Sequence, residues 1–192
     1  RGTSIAKPQD IECILVTHGD ADHFAGLPKI LESEGNKEPR KRLFIRPKRV
    51  YHNGIVKRPG KRDGKTVPEA ESLGPTRKVD GETYLVGLEE DLLAVPDKEM
   101  NAPFKTWKDT LAVYNKRNKL QFRRLQFGDN KAFAFFNKGE LRMDVLGPLA
   151  ADVAGKPALK FLGNPPKGPR VGHESLETGG KGFTGLSASH TI

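Results

Sequence analysis

Thr17-His18-Gly19-Asp20-Ala21-Asp22-His23 is the stretch on which the reading of this chain turns. Four side chains able to hold a metal, His18, Asp20, Asp22 and His23, fall within six consecutive positions. Imidazole nitrogen and carboxylate oxygen together suit zinc, and the oxygen-rich mixture also suits manganese or iron. Gly19 and Ala21 between them leave room for a tight loop. The run before it, Ile-Glu-Cys-Ile-Leu-Val over 11–16, is mostly apolar and rich in β-branched residues, so a buried strand is predicted there. After it, Phe24, Leu27, Ile30 and Leu31 recur at spacings of three and four, which predicts an amphipathic helix ending near Gly35. Pro28 falls in its first turn, where the missing N–H costs little. The unit is strand, polar loop, helix, and it predicts an α/β chain whose loop turns several ligands towards one point.

Further out, Arg42 to Ile45 and Arg49 to His52 are predicted as short strands separated by Pro47, with Asn53-Gly54 as a turn. Residues 57–82 are charged, bear Gly and Pro, and are poor in apolar residues, so a mobile surface loop is expected. Leu85 to Val95 is ambiguous between helix and strand. Phe104, Trp107, Leu111 and Tyr114 mark a helix over 104–116. Phe133 to Phe136 and Leu141 to Leu146 are predicted as a hairpin closed by Asn137-Lys138-Gly139. Residues 155–185 return to Gly and Pro with few apolar anchors, and no repeat is visible.

The 192 residues allow one domain, with apolar residues at 35% and charged residues at 30%, so the expected core is small for the length. Twenty-one Gly and 14 Pro predict many irregular connections. A lone Cys13 excludes an internal disulfide and suits a reducing, cytoplasmic setting. Its apolar neighbours predict a buried structural thiol. No apolar run reaches the roughly 20 residues of a membrane span, so no membrane partner is expected. The charge is concentrated. Between Lys37 and Lys65 twelve Lys or Arg face only Glu38 and Asp63, so this segment alone exceeds the chain's net +9. Residues 37–82 are therefore read as a basic, loop-rich insertion. Clustered cations neutralise phosphates, which makes Arg40, Lys41, Arg42, Arg46, Lys48, Arg49, Lys57 and Arg58 weak candidates for a nucleic-acid surface beside two alternatives, a solvated loop and a protease-sensitive one.

Over residues 11–27 the sequence resembles the metallo-β-lactamase superfamily, in which His-x-His-x-Asp-His follows a strand. Asp20 stands where most members have the second histidine. That replacement is similar to the subgroup around the hydrolase domain of bacterial DNA-uptake (competence) channel proteins. Tyr51-His52-Asn53-Gly54 and the stretch from Leu141 to Pro148 look like later strands of the same subgroup. The resemblance implies an αββα sandwich, here partial and carrying a long insertion. It implies two divalent ions, zinc first and manganese as the alternative. His18 with Asp20 would hold one and Asp22 with His23 the other. Asp22 would also orient the attacking water. A divalent ion brings bound water towards a pKa of about 7, and two ions clamp the attacking and leaving oxygens of a phosphodiester.

The family has strands before the motif and further ligands after it, and only ten residues precede Ile11 here. Residues 1–192 are thus expected to form one incomplete domain, completed by the remainder of the same protein or by a complementary chain. His52, beside Asn53-Gly54, and His190, in Ser187-Ala188-Ser189-His190, are candidates for a further ligand. For His52 an exposed strand-end role is the stronger expectation, and His173 is read as a surface residue. The leading functional expectation is a metal-dependent hydrolase acting on phosphodiesters or nucleic acid. A catalytically silent, regulatory interaction module is the alternative, and hydrolysis of a small ester, thioester or lactam is a third.

Overall fold

The computed structural model describes residues 2–136 and 142–163. In chain order the strands are β1 (Gln9–Ile11), β2 (Ile14–Val16), β3 (Ile45–Pro47), β4 (Arg49–His52), β5 (Lys61–Arg62), β6 (Lys65–Thr66), β7 (Thr76–Val79), β8 (Glu82–Leu85), β9 (Gln121–Arg124), β10 (Ala150–Asp152) and β11 (Pro157–Lys160). The α-helices are α1 (Ala21–Phe24), α2 (Gly26–Ser33), α3 (Glu69–Ser72) and α4 (Ala102–Asn118).

A parallel sheet in the order β2-β4-β9 lies at the centre, with Val16 opposite His52 and His52 opposite Arg124. Both parallel steps carry helices in the connection, α1 and α2 before β4 and α4 before β9, as parallel pairing requires. Successive residues of β4 therefore serve two layers. Val50 belongs to the core under α2 and α4, with Phe24, Leu27, Trp107, Leu111 and Tyr114. Tyr51 belongs to a second core with Leu125, Phe133 and Val145. An antiparallel sheet in the order β10-β11-β8-β7 supplies a further layer. Residues of β2 and β4 (Leu15, Val16, His52) and of β8 and β11 (Leu85, Leu159, Lys160) line a shared cavity of about 800 Å³. This is an α/β arrangement of helices, sheet and second sheet, consistent with the expected fold class.

Several local expectations are corrected. The strand over 11–16 is broken into β1 and β2, because Glu12 turns out to pair with Lys48 and Arg49. Lys48 interrupts the neighbouring strand pair at the same level, its N–H bonded to the Ile11 carbonyl. Pro47 does not separate two strands. It closes β3, while Arg42 to Phe44 lie outside any strand. The segment 57–82 is not a structureless loop: it contains the β5–β6 hairpin, α3, β7 and the start of β8. Its few apolar residues have partners elsewhere, Ala70 and Leu73 packing with Ile55, Leu85, Leu159 and Phe161. Phe133 to Phe136, predicted as the first strand of a hairpin, are the end of the 3-10 turn Asn130–Phe133 and a further turn, and residues 142–146 of the predicted second strand lie outside any strand. There the Asn130 and Asp129 carboxamide and carboxylate accept backbone N–H groups from Val145 and Gln126, a local alternative to strand pairing. The Asn137-Lys138-Gly139 turn lies outside the described residues, as do His173, His190 and the Gly/Pro stretch from 164 onward.

Candidate metal centre

β2 ends at Val16, and the chain leaves its carboxyl end as an extended loop before entering α1 at Ala21. The loop is stapled to β4 from one side, since the Asn53 side chain donates to the Thr17 carbonyl at 2.9 Å and accepts from the Ile55 N–H at 3.0 Å. Asn53 was read from the sequence only as a turn residue; its anchoring role needed the register of β2 against β4 to become visible. Within the loop, the Thr17 hydroxyl meets His18 Nδ1 at 3.0 Å. The His18 and His23 rings lie 3.7 Å apart between centroids.

The four predicted ligands come together as two pairs. His18 Nε2 is 3.9 Å from the Asp20 carboxylate, and His23 Nε2 is 3.5 Å from the Asp22 carboxylate. Asp20 occupies the position preceding α1, yet its side chain caps no backbone N–H. It is held instead by Lys57, whose ammonium lies 3.2 Å from Oδ1. Asp22 and His23 face outward, with Asp22 largely exposed. Among the described residues no group of three or more His, Cys, Asp or Glu converges as a finished metal cage. The donor set nonetheless fits a divalent cation. Its oxygens and imidazoles are of the right chemistry, and Asp20 already holds a positive group in the Lys57 ammonium.

His52 is not the exposed strand-end residue expected. It is 3% exposed. Its Nδ1 accepts the Gly54 N–H at 3.0 Å, so in the neutral ring Nε2 carries the proton, and Nε2 has no hydrogen-bond partner. Burial pushes the ring's pKa down to about 4, with the Glu90 backbone pulling modestly upward. In this tautomer His52 has no lone pair to give an ion, although it lines the same cavity as His18. Cys13, expected to be buried, is half-buried, and burial raises its pKa to about 11.

The basic segment displays less charge than its sequence suggests. Lys41 pairs with Glu38, Arg46 with Asp10 at 2.6 Å, Lys48 and Arg49 with Glu12, and Arg58 with Glu99 and Glu89. Arg49 also lies over the Phe135 ring, 4.0 Å from its centre. Arg42 donates to the Asn36 carbonyl, and Arg40 sits exposed in the turn Pro39–Lys41. Of the eight candidate cations, Lys57 is the one that reaches the ligand loop.

Strand, loop and helix against the parallel sheet bring two histidine–carboxylate pairs to the strand's carboxyl end, donors of the kind a divalent ion takes. Residues 5–185 match the family model of the metallo-beta-lactamase superfamily, and the chain belongs to that superfamily, whose members are generally hydrolases that use divalent metal ions, usually zinc. No curated protein and no solved structure matches the chain significantly. No helix among the described residues is long and apolar enough to cross a membrane.

Proposed function

We propose that the chain carries the ligand loop of a metal-dependent phosphodiester hydrolase related to the subgroup found with DNA-uptake proteins. The observation that carries this reading is the delivery of Lys57, out of the basic segment, onto Asp20 at 3.2 Å. An ammonium beside the ligand loop favours an anionic substrate, and Asp20 in place of a histidine is the subgroup's mark. His18 and Asp20 would hold one ion, Asp22 and His23 a second, with ligands still to come from outside this set. Zinc or manganese there would supply an activated water and neutralise charge developing on the reacting group. Asp22, exposed at the start of α1, would orient that water and accept its proton. Asn53 keeps the loop in register with β4, and Phe24, the last residue of α1, packs that helix against Phe104 and Trp107 of α4.

The test is hydrolysis of bis(p-nitrophenyl) phosphate and of single-stranded DNA with zinc or manganese added, by the protein and by Asp22→Ala. The expected result is metal-dependent turnover that falls by at least a hundredfold, the scale of a lost general base. Equal activity in the two proteins would remove Asp22 from the mechanism.

A second reading is favoured by the cavity of about 800 Å³, whose wall is mostly Leu, Val and Phe and which reaches Thr17 and His18. Its size and character match small-molecule sites, which suits an ester or thioester with an apolar acyl group. Faster turnover of p-nitrophenyl octanoate than of the phosphodiester would favour this second reading.

A further inference from the structure

Lys57 is placed by the fold rather than by its ion pair. The run Ile55-Val56 is buried, and the backbone on either side of the Lys57 side chain is clamped. The Lys57 carbonyl accepts the Asn101 N–H at 2.9 Å, at the start of α4, and the Arg58 N–H donates to the Ser72 carbonyl at 2.7 Å. Its alkyl stem crosses the ligand loop at Gly19. A Cβ on residue 19 would lie 3.1 Å from Lys57 Cγ and 3.6 Å from the Phe104 ring, so only glycine lets the stem pass without a shift. The ammonium arrives at Asp20 Oδ1 with about a third of the side chain exposed. Half-exposed ion pairs are ordinarily weak because two long chains must be ordered to make them. Here the stem is already fixed, so that ordering cost has been met by packing.

We propose that Lys57 is the resident counter-cation of Asp20, displaced when a metal takes that carboxylate and thereafter the group that selects an anionic substrate. The inference rests on the metal-dependent reading of the loop. Lys57 meets Asp20 Oδ1 while His18 faces Oδ2, so an ion held with His18 would share one carboxylate with the ammonium, and the two positive charges repel once both are present. The anchored stem prevents the ammonium from leaving the vicinity altogether. It remains beside the reacting centre, where a phosphodiester gains from it and a neutral ester does not.

The experiment compares the protein with Lys57→Met, which keeps the stem over Gly19, and with Lys57→Arg, which keeps the charge. Zinc alone is titrated into each by calorimetry, without substrate. Removing the competing charge should tighten zinc binding roughly threefold to tenfold in Lys57→Met, with Lys57→Arg near the original value. With metal present, Lys57→Met should raise KM for bis(p-nitrophenyl) phosphate by about tenfold and leave KM for neutral p-nitrophenyl acetate unchanged, and Lys57→Arg should restore the first. Unchanged or weaker zinc affinity in Lys57→Met overturns the proposal, and so does an equal rise of both KM values. Should the parent protein hydrolyse no phosphodiester, that reading falls while the zinc titration still decides the competition at Asp20.

Discussion

At the scale of single residues, His52 sets a pH limit on the fold. Its ring is buried and bonded as a neutral species, with a pKa pushed down to about 4 from 6.5. Above pH 6.5 the ring is neutral folded and unfolded, and it takes nothing from stability. As pH falls from there, the unfolded chain binds the proton first, so stability declines through the window down to about pH 4. The full loss is about 3 kcal/mol from the separation of the two values. In His52→Asn the side-chain oxygen can still accept the Gly54 N–H, and the titration is gone. Urea unfolding at pH 7 and pH 4.5 should show a smaller difference for the variant than for the parent; equal differences would place the acid sensitivity elsewhere. The clustering of His18, Asp20, Asp22 and His23 was legible in the sequence because their spacing is local. His52 was not, because its burial comes from β9 and from the backbone near Glu90, far away along the chain.

At the scale of elements, α4 was legible because one helix carries its own signature. Phe104, Trp107, Leu111 and Tyr114 recur on one face and all are buried. The start is also local: Asn101 caps the helix by accepting the Phe104 N–H at 3.0 Å. Asn101→Ala should cost about 1 kcal/mol. Trp107→Ala, which empties the contact with Phe24 and Phe104, should cost about 3–5 kcal/mol. Chemical denaturation read by circular dichroism measures both, and a Trp107 variant within 1 kcal/mol of the parent would contradict the packing described for α1 and α4. The structure of segment 57–82 is not legible locally, for the opposite reason. Its small core is completed by β11, so no window of sequence within it could reveal that it is ordered. Gly54 shows the same dependence on distant chain: with φ near +87° and Arg124 Cδ 2.5 Å from where a Cβ would sit, it serves both the turn and β9.

Across the whole molecule, much of the charge concentrated in the basic segment is held in ion pairs. Lys41, Arg46, Lys48, Arg49 and Arg58 are answered by Glu38, Asp10, Glu12, Glu89 and Glu99, acids that lie mostly outside the segment and are invisible to a local charge count. What remains at the site is Lys57 above Asp20, beside the two histidine–carboxylate pairs. A metal bound there stabilises the folded state by mass action. With zinc at a hundred times its dissociation constant the gain is about 2.7 kcal/mol, which for a chain of this size raises the melting temperature by roughly 5–10 °C. A chelator should reverse the shift, and a melting temperature indifferent to both would show that zinc has no site on the folded chain.

The loop from Thr17 to His23 carries the proposed metal centre, and zinc uptake tests it most directly. Calorimetric titration should give saturable binding by the parent protein and by His52→Asn. His18→Ala combined with Asp22→Ala removes one donor from each pair and should abolish it. Undiminished zinc uptake by that double variant would contradict the assignment of the metal centre to this loop.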